Sequence, residues 1–149
     1  MSVRSDPSHA KQVQEWEDRN CVGFDCAQIA QIYAFAIQAI EKRSLVTLSS
    51  ITVKVVADRV LHENREKFPL LALVTLEEQR MNTSRLSEGS ADYGIEDVRN
   101  SLRHLLVQLL TVFGNITADI LTEPLHRELL KITSESLPKL CEVRNREQS

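Results

Sequence analysis

The chain has 149 residues, of which 42% are hydrophobic and 26% are charged, as is ordinary for one soluble globular domain. Its formal net charge of −3 and its lack of a Lys/Arg cluster disfavour nucleic acid and anionic membrane surfaces as partners. It contains only four Gly and four Pro, which leaves few residues for tight turns and predicts a mostly helical fold.

The cysteines and the N-terminal sequence predict an intracellular protein, either cytoplasmic or nuclear. Cys21, Cys26 and Cys141 have no regular spacing, so they predict neither a disulfide framework nor a zinc site. The first residues, MSVRSDPSHAKQVQ, contain no apolar core of the kind that a secretory signal needs.

The first predicted element is a short amphipathic helix from about His9 to Arg19, with Val13 and Trp16 on one side. The mixed-charge run EDRN at its end is typical of a solvated helix face. The segment NCVGFD that follows is predicted to interrupt the helical structure.

A second helix is predicted from about Cys26 to Arg43, because apolar residues recur there at steps of three and four behind Asp25 as the N-cap. The EKR sequence at its end is typical of a helix C-terminus. No charged residue occurs between Cys26 and Ile40, so the face opposite the apolar stripe is uncharged. That face carries Gln28, Gln31, Phe35 and Gln38.

Residues 50–94 are predicted to form two helices and a loop. ITVKV alternates like a strand, but the apolar residues around it recur with helical spacing, so a helix from about Ser50 to Lys67 is predicted. PLLALVTLEEQR, from Pro69 to Arg80, is predicted as a further helix with its proline in the first turn. The Ser-, Asn- and Gly-rich sequence MNTSRLSEGSADYG predicts a long, mobile loop near residues 82–94.

The longest apolar stripe predicts a central helix from Asp97 to about Leu121. At about 100° per residue the apolar side covers half of the circumference, so this helix should contact at least two neighbours. The stripe consists of Val98, Leu102, Leu105, Leu109, Val112, Ile116 and Ile120. The uncharged run from Leu105 to Ala118 is shorter than the roughly 20 residues that cross a membrane, so no membrane span is predicted.

The opposite side of this helix carries a row of uncharged polar residues: Asn100, Ser101, His104, Gln108, Thr111 and Asn115. A solvated face usually carries Lys and Glu, so a neutral row predicts partial cover by another surface. Gly114 lies at the edge of this row, where a mid-helix glycine costs about 1 kcal/mol against alanine. Two interpretations fit this glycine: close approach by another backbone, or a helix break with GNIT as a turn.

The end of the chain predicts two more helices. TEPLHRELLKI begins one, with Pro124 in its first turn, and SESLPKLCEVR forms a short last one. Glu123 and His126 have the i, i+3 spacing used by di-iron helical bundles, but such a site needs a second pair, which the sequence lacks. Neither a metal nor a cofactor is therefore predicted, and no phosphate loop, nucleophile elbow or paired-cysteine motif occurs.

Together these elements predict an all-α fold, a single compact bundle of five or six mostly antiparallel helices. We expect residues 1–9 to form a flexible N-terminal segment and residues 146–149 a polar tail. Residues 10–145 between them are expected to form the helical domain.

The function predicted for this bundle is that of an interaction module, an adaptor or a subunit of a multiprotein complex, because two helices lack a charged face. It would bind another protein chain or a second copy of itself through uncharged helix faces. The predicted contact residues are Gln28, Gln31, Phe35, Gln38, His104, Gln108, Thr111 and Asn115.

Two alternatives explain the same pattern. One is a helical enzyme or small-ligand-binding bundle, with a polar pocket lined by Asn100, His104 and Gln108. The other is a closed bundle without a partner, in which the two uncharged helices form a central layer and the remaining helices wrap them.

Overall fold

The computed structural model describes residues 7–78 and 80–134. Its helices are α1 (Pro7–Asn20), α2 (Cys26–Thr47), α3 (Ser50–Arg65), α4 (Leu86–Gly89), α5 (Ile95–Ile116) and α6 (Thr122–Lys131). Strands β1 (Thr75–Glu77) and β2 (Arg80–Asn82) form an antiparallel hairpin, and two short 3-10 segments are formed by Pro69–Leu73 and Ser90–Asp92. The predicted all-α bundle is therefore confirmed for this part of the chain.

Several predictions concern residues outside the described part. They are the short last helix in SESLPKLCEVR, the polar tail, Cys141, and most of the flexible N-terminal segment. Of that segment, Pro7, Ser8 and His9 belong to α1, and the His9 side chain is buried.

The centre of the bundle is formed by α2 and α5. The first of these helices packs against α3, α4, α5 and α6, and the second also packs against α1 and α3. Their apolar stripes are almost free of solvent, with Ile29, Tyr33 and Ile37 on one helix and Leu105 and Leu109 on the other all 0% exposed. The two uncharged helices thus form a central layer that the other elements wrap.

Contacts between side chains fix the directions of the helices. In α1, His9 lies beside Gly114 of α5 while Glu17 binds Arg103, so these two helices are antiparallel. Along α3, Val60 lies across a groove from Ile116, whereas Phe68 just beyond that helix packs on His104. Helix α3 is therefore also antiparallel to α5.

Local capping explains where α2 and α3 begin. The Asp25 carboxylate accepts the Gln28 backbone N–H at 2.8 Å, and the Gln28 side chain accepts the Asp25 N–H at 3.0 Å. This reciprocal capping box satisfies two otherwise unpaired donors. Ser49 Oγ accepts the Thr52 N–H at 3.2 Å in the same way. Both helices start at the residues that the sequence predicts.

The prediction of a helix from Pro69 to Arg80 is wrong. Pro69 instead opens a 3-10 segment, and the chain then turns through a hairpin at Glu78, whose φ is 52°. The backbone N–H of Met81 in β2 donates to the Glu41 carboxylate of α2 at 2.9 Å. A tertiary acceptor thus replaces the hydrogen bond that a helix would have supplied, which local propensity cannot anticipate.

The segment near residues 82–94, for which a mobile loop was predicted, contains two short helical elements. Thr83, Leu86 and Ser90 are buried, and the segment forms α4 and a 3-10 turn that pack against α2. Its composition is typical of a loop, but Leu86, at 0% exposed, anchors it in the core.

The central helix ends at Ile116, before the predicted end at Leu121. Ala118 and Asp119 have φ of 50° and 66°, which reverses the chain before α6. The predicted stripe therefore fails at its end, because Ile116 is 49% exposed and Ile120 is 69% exposed.

Gly114 lies inside the helix rather than at a break. A Cβ built on it would lie 2.8 Å from Thr122 Oγ1 and 3.6 Å from His9 Nε2. The close approach expected at this glycine therefore exists, but side chains make it and not another backbone.

Candidate functional site

The uncharged face predicted on α2 is partly used inside the molecule. Gln28 completes the capping box, and Phe35 is half-buried and packs against the core. Gln31 is half-buried, whereas Gln38 is exposed and donates from Nε2 to Thr83 Oγ1 at 3.2 Å. Of the four predicted contact residues, Gln38 is thus the one that solvent reaches most freely.

The polar row on α5 is covered only in part: Asn100 and Asn115 are exposed, whereas its other four residues are buried or half-buried. His104 is half-buried, and its ring centroid lies 5.1 Å from that of Phe68. Burial and the nearby charge of Lys67 lower the pKa of His104 from its ordinary value of 6.5. Thr111 is buried and donates to the Val107 carbonyl at 2.8 Å.

Gln108 and Asn115 line a narrow groove of about 170 Å³ between α5 and α3. Neither Asn100, which is exposed, nor His104 lines that groove, so the three residues of the predicted polar pocket do not share it. Gln38 lies at the hairpin, and the groove lies at α3, so the two predicted rows also face different neighbours.

A buried ionic network joins α1, α2 and α5. Glu17 is 3% exposed; its Oε1 accepts the Tyr33 hydroxyl at 2.5 Å and its Oε2 accepts Arg103 Nη2 at 2.7 Å. Burial and the adjacent carboxylate raise the pKa of Tyr33 well above its ordinary value, so the phenol keeps its proton. Burial alone would lower the pKa of Arg103. The hydrogen bond and the attraction to Glu17 outweigh this effect, so the pKa of Arg103 is raised above its ordinary value.

The buried thiol of Cys21 lies near this network. Burial, and then the charge of Glu17, raise its pKa to about 12. Because the thiolate is the reactive form of cysteine, such a thiol is a poor nucleophile. Cys26 Sγ lies 3.6 Å from the Tyr93 carbonyl oxygen, to which it donates. Both cysteines are free thiols.

An open cleft of about 710 Å³ lies between α2 and the hairpin. It is lined by Gln38, by Glu77 and Glu78 at the hairpin turn, and by residues 80–84. A smaller pocket of about 280 Å³ shares Gln38, Arg80 and Met81 with it and extends to Glu41 and Lys42. We refer to the two together as the hairpin cleft.

Glu41 is the buried charge of the hairpin cleft, at 4% exposed. Its Oε2 accepts the Met81 N–H at 2.9 Å, and its Oε1 lies 4.0 Å from Arg80 Nε. Burial raises the pKa of Glu41 above its ordinary value of 4.5, and the Met81 N–H and Arg80 oppose this only in part.

Sequence reasoning missed both buried glutamates, since Glu17 fell in a run interpreted as a solvated face and Glu41 at a predicted helix end. The sequence nevertheless contained an indication that each glutamate is buried. Glu17 lies four residues after Val13, and Glu41 lies four residues after Ile37, so each is aligned with a buried aliphatic residue on its helix.

His9 and His126 form a contact between α1 and α6. His9 is 2% exposed, and its Nδ1 lies 2.9 Å from His126 Nε2. Glu123, the residue paired with His126 in the sequence pattern, instead forms an ion pair with Arg127. Over residues 7–78 and 80–134, no group of three or more His, Cys, Asp or Glu side chains is arranged to hold a metal ion.

Five exposed aliphatic side chains lie near the end of α2, in the first half of α3, and at or just after the end of α5. They are Val46 (76% exposed), Ile51 (67%), Val55 (59%), Ile116 (49%) and Ile120 (69%). Only two residues separate α2 from α3, so the C-terminal end of one helix lies beside the N-terminal end of the other. Ile116, at the end of α5, lies beside Arg59 and Val60 in the second half of α3. We call these five residues the aliphatic end.

No protein-family model, curated protein or solved structure matches the chain. Among the helices in the described ranges, none is both long and apolar enough to cross a membrane.

Proposed function

We propose that this protein is an interaction module, an adaptor or a complex subunit, which binds another protein or a second copy of itself through the aliphatic end. The observation that carries this proposal is the exposure of five Val and Ile side chains, three of which, Val46, Ile51 and Val55, lie close to the two-residue connection between α2 and α3. Contiguous apolar surface on a soluble domain commonly marks a contact site, whereas scattered exposed aliphatic residues need no such explanation.

The pattern on α3 supports this assignment. Ile51 and Val55 are one helical turn apart and both point to solvent, although Val53 and Val56 already supply the buried stripe. Covering a fully exposed Val or Ile side chain stabilises a complex by about 1.5–3 kcal/mol before the costs of association. A partner that covers several of these side chains can therefore offset those costs.

The aliphatic end is continuous with part of the surface predicted from sequence. Ile116 lines the same groove as Gln108 and Asn115, two of the predicted contact residues. These polar side chains would form a hydrogen-bonding rim beside the aliphatic centre of the contact, which is the usual arrangement of protein interfaces.

Charge substitutions at the aliphatic end test the proposal. We expect Val55→Glu and Ile51→Glu to weaken self-association or partner binding at least tenfold, because each would bury an unpaired carboxylate. Mass in solution by light scattering measures self-association, and capture from native extract measures partner binding.

Val22→Glu is the matched control. Val22 is 80% exposed and lies near the N-terminal end of α2, about 30 Å from Val46 by the rise of the helix. It introduces the same charge at the opposite end of the bundle. If all three variants bind and associate as the wild type does, the aliphatic end is not the contact surface.

A further inference from the structure

The carboxylate of Glu41 has acceptor capacity that the fold does not use. A buried carboxylate usually needs two or three donors, or a close counter-ion, to offset the loss of hydration. Glu41 Oε2 receives the Met81 N–H at 2.9 Å, but Arg80 Nε lies 4.0 Å from Oε1, beyond hydrogen-bonding distance. Among the hydrogen bonds of the described residues, none reaches Oε1. Glu41 is one of the residues that line an open pocket.

Several other groups around this pocket can also accept hydrogen bonds. The Gln38 amide donates through Nε2 to Thr83, which leaves its oxygen for another donor. Glu77, whose Oε2 already accepts a hydrogen bond from the Asn82 amide, and Glu78 add two exposed carboxylates at the rim of the cleft. Against the three glutamates the hairpin cleft has two cations, Arg80 and Lys42. A ligand that supplies several N–H donors and one positive charge would complement this arrangement.

We infer that the hairpin cleft binds a guanidinium group, the side chain of an arginine in a partner polypeptide, with Glu41 as its main acceptor. A guanidinium is planar and carries five N–H donors, so it can bind the Glu41 carboxylate and the Gln38 amide oxygen together. An ammonium offers three donors from one point and matches separated acceptors less well.

Arg80 marks the position that the ligand takes. Its side chain is 55% exposed, and its guanidinium already lies at the mouth of the pocket. Its backbone belongs to β2 and is held in place by pairing with β1, so only its side chain can move toward Glu41. A guanidinium on another chain has no such limit and can reach the roughly 2.8 Å of a charge-assisted hydrogen bond. Binding therefore displaces Arg80 from Glu41.

A titration of the full chain with N-acetyl-arginine amide, followed by amide NMR, tests the inference. We expect saturable shifts of the Met81 and Thr83 backbone amides and of the Gln38 side-chain amide. N-acetyl-citrulline amide has nearly the same shape without the charge, and it should bind at least tenfold more weakly. N-acetyl-lysine amide should fall between the two. Equal shifts from arginine and citrulline, or no saturable shift at Met81, would overturn the inference.

Two substitutions at the cleft have opposite expected effects. Glu41→Gln keeps an oxygen acceptor for the Met81 N–H and should weaken arginine binding at least tenfold. Arg80→Gln removes the internal competitor and should strengthen binding severalfold. Glu63→Gln, which removes an exposed carboxylate on α3, is the matched control and should change nothing.

If Glu41→Gln binds as the wild type does, or if Arg80→Gln abolishes binding, the assignment is wrong. Should Glu41→Gln fail to fold, the direction of the Arg80→Gln effect still decides. The inference does not depend on the aliphatic end. Val55→Glu should leave arginine binding unchanged, so failure of one proposal leaves the other intact.

Discussion

The two glutamates that are buried in the described part of the chain meet the cost of burial in different ways. Glu17 receives a hydroxyl and a guanidinium at hydrogen-bonding distance, so both of its oxygens are satisfied. Glu41 receives one backbone N–H and a distant guanidinium. At the scale of single residues, the first carboxylate is thus part of the structural framework, and the second retains capacity to bind a donor.

Stability as a function of pH should reveal the cost of burying Glu41. Its pKa in the folded protein is raised above the ordinary value of 4.5, so the folded state binds the proton more tightly than the unfolded state does. The contribution of Glu41 to the free energy of unfolding is therefore fully present at low pH. It is lost as the pH rises through 4.5 and through the raised pKa. Glu41→Gln removes this loss and keeps an acceptor for Met81.

We expect Glu41→Gln to leave the free energy of unfolding at neutral pH unchanged, or to raise it by up to about 1 kcal/mol. The difference in the free energy of unfolding between the variant and the wild type should shrink at about pH 4, where the Glu41 carboxyl of the wild type is largely protonated. Urea denaturation at both pH values measures this, with Glu63→Gln as the exposed control. A neutral-pH loss of more than about 2 kcal/mol would mean that the Arg80 attraction outweighs the cost of burial.

At the scale of elements, the end of α5 illustrates how a helix is stopped by contacts that lie beyond it. Thr117 Oγ1 donates to the Phe113 carbonyl at 2.7 Å and accepts the Leu121 N–H at 3.2 Å. The Asp119 N–H donates to the Gly114 carbonyl at 2.7 Å. These bonds satisfy groups that a longer helix would have satisfied internally, and they direct Leu121 into the core.

Gly114→Ala should destabilise the protein, although alanine favours a helix by about 1 kcal/mol over glycine. The new Cβ would lie 2.8 Å from Thr122 Oγ1, so either the Thr122 side chain, which bonds Asp119, or the start of α6 must shift. We expect a net loss of about 1–2 kcal/mol in the free energy of unfolding, measured by urea denaturation.

The double substitution with Thr122→Ala separates these two contributions. Thr122→Ala removes the oxygen that Gly114→Ala would strike, so alanine at position 114 should be neutral or stabilising in that background. If Gly114→Ala costs the same in both backgrounds, contact with Thr122 does not explain the glycine.

The elements differ in how far the sequence predicted them. Helices α2 and α3 were predicted from their first residues, because Asp25 and Ser49 supply local caps. The hairpin and α4 were not, because what stabilises them is distant in sequence: Glu41 accepts a bond from β2, and Leu86 is buried where α4 packs on α2. Local propensity does not contain such interactions.

At the scale of the whole molecule, the described helices share one continuous core and should unfold together. The cluster of buried side chains extends from Val13 in α1 to Leu129 in α6. Trp16, the only tryptophan of the chain, packs edge-to-face on Tyr33, and its indole donates to the Ile132 carbonyl at 2.7 Å. Its fluorescence therefore reports on the junction of the first, second and last described helices.

We expect tryptophan fluorescence and far-ultraviolet circular dichroism to give coincident urea transitions. Arg103→Met should lower the free energy of unfolding by about 2 kcal/mol, because it leaves the Glu17 carboxylate buried without its counter-ion. Both curves should then move together to lower urea. Arg59→Met, which removes an exposed ion pair on α3, should cost no more than about 0.5 kcal/mol. Fluorescence that changes at lower urea than circular dichroism would show that α1 unfolds separately.

The sequence by itself determined the fold class, the two central helices and their apolar stripes, since periodicity and capping are local properties. It also predicted that the neutral polar rows would be partly covered, and in the row on α5 Ser101 and Thr111 are buried whereas Asn100 and Asn115 are exposed. Only the tertiary structure decided which surfaces remain open. The hairpin cleft and the aliphatic end each combine residues from separate elements, and whether a side chain is buried or exposed depends on where the other elements pack.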